Sequence, residues 1–323
     1  MRAGVIVNPS SGNFERVKGE IKILHELFED IYTGCGKFGG DLIPSSKIIE
    51  IDGSNLHDML IDLTLKLSKL VDLLIVVGGD GTANVVATAL LDNSLDIPIM
   101  GIAGGTANVG PLVRFRFDEL KEPKKMEKVK PIVVFMEDEK LGYAFVDLVL
   151  GDTFLGTVDG KMVNLSAKDF LDFGETVVKR PNADIREVRM KKNGMRIDVK
   201  LEKIAQIVVS PLNHSRFYVG KAITGALCWS YFFNASWAIC LSDRIIVDSN
   251  VNVEDLNDSI TLEQLLFTDD DELEMEVKGR DLFIILDGNP VRRCDSPLII
   301  KSSRRCLRVF SRMVDGCFPT LEL

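Results

Sequence analysis

The sequence predicts an α/β domain built on a doubly wound parallel sheet, followed by a β-rich domain of sandwich type. Three observations carry that expectation. From Ala3 to Asn108, short apolar runs alternate with amphipathic stretches, and three of the runs end in polar, glycine-bearing clusters. From Ile132 onward the helical period gives way to short apolar segments separated by turn residues. Between the two lies Lys121–Pro131, charged and flanked by prolines, which reads as a linker. The expected boundaries are therefore 1–125, 126–300 and a tail over 301–323 that returns to the first domain.

Taken in order, Ala3–Val7 is a strand that stops at the turn cluster Asn8-Pro9-Ser10-Ser11-Gly12. Phe14–Ile31 places Val17, Ile21, Leu24, Leu27, Phe28 and Ile31 at helical spacing and reads as one helix. Lys47–Ile51 is a strand and Leu56–Leu70 an amphipathic helix. Val71–Val77 is a strand that runs into Gly78-Gly79-Asp80-Gly81-Thr82, with a helix over Ala83–Leu91. Ile97–Ile102 is a strand ending at Ala103-Gly104-Gly105-Thr106-Ala107-Asn108. In the second domain strands are expected over Ile132–Met136, Tyr143–Leu150, Glu187–Met190, Met195–Val199, Ala205–Ser210 and Ala238–Leu241. Further strands are expected over Arg244–Val247, Glu272–Lys278, Asp281–Leu286 and Leu298–Lys301. Asp269-Asp270-Asp271-Glu272 reads as a solvated turn.

The bulk numbers narrow the function. A chain of 323 residues favours two domains. Hydrophobic content of 46% and charged content of 27% are ordinary for a soluble globular protein. The net charge of −9 argues against non-specific nucleic-acid binding. Cys35, Cys228, Cys240, Cys294, Cys306 and Cys317 form no CxxC pair, and His25, His57 and His214 lie far apart, so a zinc site is not expected. No apolar run approaches the ~20 residues of a membrane span, and the chain opens on a strand rather than a leader. A cytoplasmic protein with reduced thiols is expected.

A buried strand feeding a glycine turn and a helix N-terminus is an anion site, because unpaired amides and the helix dipole favour phosphate. Three such loops on the carboxyl rim of one parallel sheet are more specific than any alone. In this reading the amides of Gly78, Gly79, Gly81 and Thr82 hold phosphate oxygens, with the Thr82 hydroxyl adding a donor. Asp80 sits beside that anion, where only a metal, a proton or a substrate hydroxyl makes a carboxylate welcome. Asn8, Ser10, Ser11 and Gly12 contribute from the first loop, and Gly105, Thr106 and Asn108 from the third. There is no P-loop lysine. Arg114 and Arg116 follow the third loop, where they could pair with phosphates, and read first as a solvated strand face. Asp147 lies in an apolar run, where an unpaired carboxylate is costly. His214 sits in a loop, and Asp287-Gly288 is first of all a hairpin turn. Trp229, Tyr231, Phe232, Phe233 and Trp237 read as core or as an interface compatible with a homo-oligomer.

Asn8-Pro9-Ser10-Ser11-Gly12, Gly78-Gly79-Asp80-Gly81-Thr82 and Gly104-Gly105-Thr106-Ala107-Asn108, in that order, resemble the motifs of the NAD kinase and diacylglycerol/sphingosine kinase superfamily. The resemblance implies an α/β domain with a β-rich partner, ATP and Mg²⁺ as cofactors, and transfer of a phosphoryl group to a hydroxyl, with Asp80 accepting that hydroxyl's proton or holding Mg²⁺ through water. The Gly105-Thr106-Ala107-Asn108 form is similar to that of lipid kinases, although Asn84 stands near the place where they carry an acidic residue. Ile207–Asn213 through Thr224-Gly225-Ala226, and the late turn at Asp287-Gly288-Asn289, look like segments of NAD kinases. Where those enzymes show Asn-Glu, this chain has Val146-Asp147, keeping a carboxylate without the amide. Asp147, His214 and Asp287 are the implied acceptor contacts. Met162–Pro181 resembles ATP-NAD kinase-like proteins of unsettled substrate. NAD is the expected acceptor; a lipid kinase and a nucleotide sensor without turnover are the alternatives.

Overall fold

Arg2–Val7 forms β1, buried from Ala3 onward because strands flank it on both sides and helices cover both faces. The computed structural model describes residues 1–105, 108, 110–182, 184–212, 235–250 and 259–313. The chain forms two units: Met1–Val129 with the chain from Arg305, and the stretch between them that begins at Lys130.

In the first unit, Phe14–Ile31 is not one helix. It forms α1 (Phe14–Val17), a 3-10 turn (Ile21–Ile23), α2 (Leu24–Leu27) and then β2 (Asp30–Gly34). Gly19 weakens the helix in its middle, and parallel pairing with β1 captures the residues from Asp30. The predicted apolar face survives, since Val17, Ile21, Leu24 and Ile31 pack on Val5, Val7 and Ile75. β3 (Lys47–Ile49) follows. α3 (Leu56–Ser68) starts where the Asn55 side chain accepts the Asp58 amide at 3.0 Å. β4 (Leu73–Gly78) leads into α4 (Asp80–Asp92), which is buried nearly all round. β5 (Ile99–Ala103) and β6 (Val113–Phe115) come next. A Cβ on Gly101 would meet the Leu112 carbonyl oxygen at 2.2 Å, so only glycine lets β6 return against β5.

The expected linker is instead largely strand, with β7 over Lys124–Val129. Its charge is that of a sheet edge: lysines blunt a strand that has a neighbour on one side.

The second unit contains β8 (Ile132–Met136), β9 (Glu139–Ala144), β10 (Leu148–Gly151), β11 (Thr153–Val158), β12 (Lys161–Ser166) and α5 (Ala167–Phe173). It continues with β13 (Asp184–Lys192), β14 (Met195–Ile197), β15 (Gln206–Pro211), β16 (Trp237–Ser242) and β17 (Leu262–Phe267). β18 (Glu272–Arg280), β19 (Phe283–Leu286), β20 (Asn289–Arg293) and β21 (Leu298–Ser302) complete it. Two six-stranded antiparallel sheets result, β14-β13-β18-β21-β8-β9 and β17-β16-β15-β10-β19-β20, with β11–β12 as a separate hairpin. Met136, Met275 and Ile300 from one sheet meet Leu148, Ile207 and Ile239 from the other in one core. Trp237 lies in that core, stacked on Phe267 with ring centroids 4.0 Å apart. Trp229, Tyr231, Phe232 and Phe233 lie outside the described residues.

Three expectations in this unit need correcting. Tyr143–Leu150 is not one strand: β9 ends at Ala144 and β10 starts at Leu148, because the amides between them turn to the Asp287 carboxylate. Arg244–Val247 is not a strand, because the Gln206 side-chain oxygen takes the Ile246 and Val247 amides at 2.7 and 2.8 Å. Asp271 is not solvated: it is buried, accepting the Thr268 amide, the Asn193 side chain and an ion pair from Lys192. After the second unit, β22 (Leu307–Arg312) enters the sheet of the first unit, parallel to β5 and antiparallel to β7. The strand order there is β3-β2-β1-β4-β5-β22-β7, with β6 beside β5. An α/β unit on a mainly parallel sheet and a β-rich unit of antiparallel sheets are the architecture that the sequence predicts.

Candidate active site

β1 and β4 are neighbours, yet the chain leaves β1 toward β2 and β3 on one side and returns to β4 on the other. The loops after β1 and β4 therefore diverge at a topological switch point, where doubly wound sheets open a crevice beyond their carboxyl ends.

Backbone and side chains knit the three glycine-bearing loops together there. The Asn8 amide donates to the Val77 carbonyl at 3.0 Å, and the Asn8 side-chain nitrogen donates to Thr82 Oγ1 at 2.7 Å. Asn8 Oδ1 accepts the Ser10 amide at 2.8 Å, an Asx turn that sets the loop's bend, and Ser11 Oγ donates to the Asn8 carbonyl. Gly104 donates its amide to the Gly78 carbonyl at 2.9 Å. A Cβ on Gly105 would sit 2.7 Å from the Gly79 Cα, so backbone packs on backbone. The glycines thus first serve the approach of one loop to another. Asn108 folds its side-chain nitrogen onto the Gly105 carbonyl at 2.9 Å, while its Oδ1 is buried without a hydrogen-bond partner among the described residues.

Asp80 is the first residue of α4 and is 9% exposed. Its Oδ2 accepts the Gly110 amide at 2.9 Å, which ties the third loop to the second. The first intrahelical bond at this end runs from the Ala83 amide to the Gly79 carbonyl. The amides of Asp80, Gly81 and Thr82 thus precede any intrahelical acceptor, and the helix dipole there favours negative charge. Asn8, Ser10, Ser11, Gly12, Gly78, Gly79, Asp80, Gly81, Thr82, Gly105 and Asn108 lie on these three loops; Thr106 lies outside the described residues.

One contributor escaped the sequence reading and another was misplaced by it. Asn13 donates its amide to the Gly104 carbonyl at 2.9 Å and its side chain to the Gly105 carbonyl at 2.7 Å, joining the first loop to the third. An Asn before a helix signals a cap, and here it makes no capping bond. Arg114 is the other. It is not on a solvated face but buried, donating from Nε to the Pro111 carbonyl at 2.6 Å. Arg116 does face solvent, paired with Asp118 at 3.0 Å.

Within the second unit, Asp147 and Asp287 are brought together. Asp147 sits in the loop between β9 and β10, and its carbonyl accepts the Asp287 amide at 2.9 Å. The Asp287 carboxylate in turn accepts the amides of Phe145, Val146 and Asp147 at 2.9, 2.8 and 3.1 Å. Asp287 is buried in the β19–β20 turn with a φ of 49°, a left-handed conformation that Asp tolerates better than most residues. The Ser210 hydroxyl donates to the Val146 carbonyl at 2.6 Å, fixing the same loop from β15. His214 lies outside the described residues.

A family model described as the ATP-NAD kinase N-terminal domain matches residues 4–122. An uncharacterised protein of Archaeoglobus fulgidus is 30% identical over 298 residues, covering 90% of this chain and 92% of that one. Among solved structures, a diacylglycerol kinase from Bacillus anthracis is similar with a TM-score of 0.51 at 14% identity, covering 95% of this chain and 96% of its own. Yeast NADH kinase in complex with NADH is similar with a TM-score of 0.50 at 12% identity, covering 97% of this chain and 83% of its own. At such identities the two structures speak to the fold alone.

Proposed function

We propose, as the chain belongs to the NAD kinase and diacylglycerol kinase superfamily, that it transfers the terminal phosphoryl group of ATP to a hydroxyl of NAD. One observation carries the reading: three loops meet at the switch point of the sheet, and a buried carboxylate stands at the N-terminus of α4 among them. The match to the ATP-NAD kinase N-terminal domain supports NAD as the acceptor.

Phosphoryl transfer asks for positioning and charge neutralisation more than for covalent help. The amides that open α4 and the Thr82 hydroxyl, oriented by Asn8, would bind phosphate oxygens. The buried Asn108 Oδ1 would accept a donor from the nucleotide. The acceptor oxygen bonds to the transferred phosphorus, the bond from phosphorus to the ADP oxygen breaks, and the hydroxyl proton passes to Asp80. Bound Mg²⁺ would neutralise the phosphates, with Asp80 reaching it through water. Asp80, buried at the opening of α4, is the carboxylate these loops would offer such a cation.

One observation favours a lipid hydroxyl instead. Phe170 and Phe173 of α5 and the neighbouring Val178 are 41%, 69% and 58% exposed, an apolar surface on the second unit. The deciding assay incubates the protein with ATP, Mg²⁺ and NAD and measures NADP with a coupled enzyme, alongside Asp80→Ala. NADP formed by the wild type and lost in the variant supports both acceptor and residue. Bound ATP with no NADP overturns NAD as the acceptor, and diacylglycerol vesicles then replace it in the same assay.

A further inference from the structure

Arg114 is a charged side chain where the sequence led us to expect a solvated one. Its side chain is 2% exposed, and burying a guanidinium is costly unless it is paired. The compensation comes from β7. Glu127 Oε2 lies 3.7 Å from the guanidinium, and Glu127 is itself anchored by Lys125 at 2.9 Å. Burial pushes the Glu127 carboxyl upward, yet Lys125 and Arg114 outweigh it and hold the carboxyl below its usual range. Glu127 is thus a stable anion for Arg114 to lean on.

What Arg114 does with that support is directional. Its Nε donates to the Pro111 carbonyl, and Pro111 directly follows Gly110, whose amide donates to Asp80. Proline fixes its own φ and biases the residue before it toward extended backbone, which removes part of the freedom between the Pro111 carbonyl and the Gly110 amide. Holding the Pro111 carbonyl narrows the directions in which the Gly110 N–H points. We infer that Arg114 is a positioning residue, which acts through the Gly110–Pro111 turn to aim the Asp80 carboxylate, with Glu127 as its anchor. The inference rests on the reading of Asp80 as the proton acceptor.

Lysine at this position keeps the charge and loses the planar fork. In Arg114→Lys we expect kcat to fall about 10-fold or more while the KM for ATP stays within about twofold, since geometry and not nucleotide affinity is changed. Placed on Asp80→Ala, the same substitution is expected to cost nothing further, because a residue acting through Asp80 has nothing left to aim. Exchange of the Gly110 amide proton should quicken about tenfold in Arg114→Lys and in Asp80→Ala, and no more in the double variant. If Arg114→Lys does not fold, Glu127→Gln carries the same three measurements. Losses that multiply with Asp80→Ala, an unchanged kcat, or a Gly110 amide that stays protected would each overturn the inference. A wild type that transfers phosphate to no acceptor would instead overturn the functional reading, and the amide exchange would still judge the link from Arg114 to Asp80.

Discussion

Asp80 of the first unit and Asp287 of the second are both buried where loops meet, and the two are used differently. In the second unit, Asp287 takes the amides of three consecutive residues and works as a clamp on the loop between β9 and β10. In the first, Asp80 takes the Gly110 amide from a different loop and stands in the first turn of a helix, where charge is favoured rather than merely tolerated. A carboxylate wrapped by the backbone of one segment stabilises that segment. One that ties two loops together at a helix end is where the proposed proton acceptor stands.

The largest expected effect tests that contrast directly. Asp80→Ala should reduce transfer by about 10³-fold or more, while leaving the Gly110 amide unpaired lowers stability by only about 1 kcal/mol. Steady-state rates beside urea midpoints would show it, and a variant with full activity would end the proposed mechanism. Asp287→Ala should behave in the opposite way. It leaves three amides unsatisfied and forces alanine into a left-handed φ, at a total of about 3–5 kcal/mol. Asp287→Asn, which keeps one acceptor oxygen and tolerates that φ, should recover about half of the lost midpoint. An Asp287→Ala protein that melts like the wild type would mean the clamp does not matter.

Gly105→Ala sharpens the picture within the first unit. Its new Cβ meets backbone at 2.7 Å, so the second and third loops must part. About 2 kcal/mol of stability and most ATP affinity should be lost together, as titration calorimetry and a melt would read. The smallest effect concerns Asp271. Burial raises its pKa, but the Thr268 amide, Lys192 and Asn193 outweigh this and bring it down to about 2, below its ordinary 3.8. A depressed carboxylate contributes stability above its unfolded pKa and loses it as pH falls through the folded value. On the order of 2 kcal/mol should therefore be present above about pH 4 and fade toward pH 2. The melting temperatures of wild type and Asp271→Asn should converge over that window, and a constant gap would rule the linkage out.

Elements with a strong local signal were legible. β1, β4 and β5 are apolar runs stopped by turns, and α3 has both its period and its Asn55 cap in the sequence. β2 and β7 were not. Asp30–Gly34 continues an amphipathic pattern and becomes a strand through pairing with β1. Lys124–Val129 reads as linker because sheet edges and linkers share the same charges. The three loops were visible as motifs, but the bonds that join them were not. Asn13 and Arg114 act on partners more than 90 positions away or through a carbonyl, and neither leaves a spacing to find.

β22 has a consequence for the order of synthesis. It lies between β5 and β7, yet it is encoded after the whole second unit. As the chain leaves the ribosome, β1 to β7 emerge with a gap in their sheet that cannot close until residue 312 is out. Until then β7 lacks its partner strand and β5 is covered only where β6 pairs with it, while the inserted unit has all the strands described for it and is free to fold. The three glycine-bearing loops therefore sit on a sheet finished last, by a contact spanning some two hundred positions. Slow maturation and exposure to aggregation during translation are the natural cost of such a long-range closure.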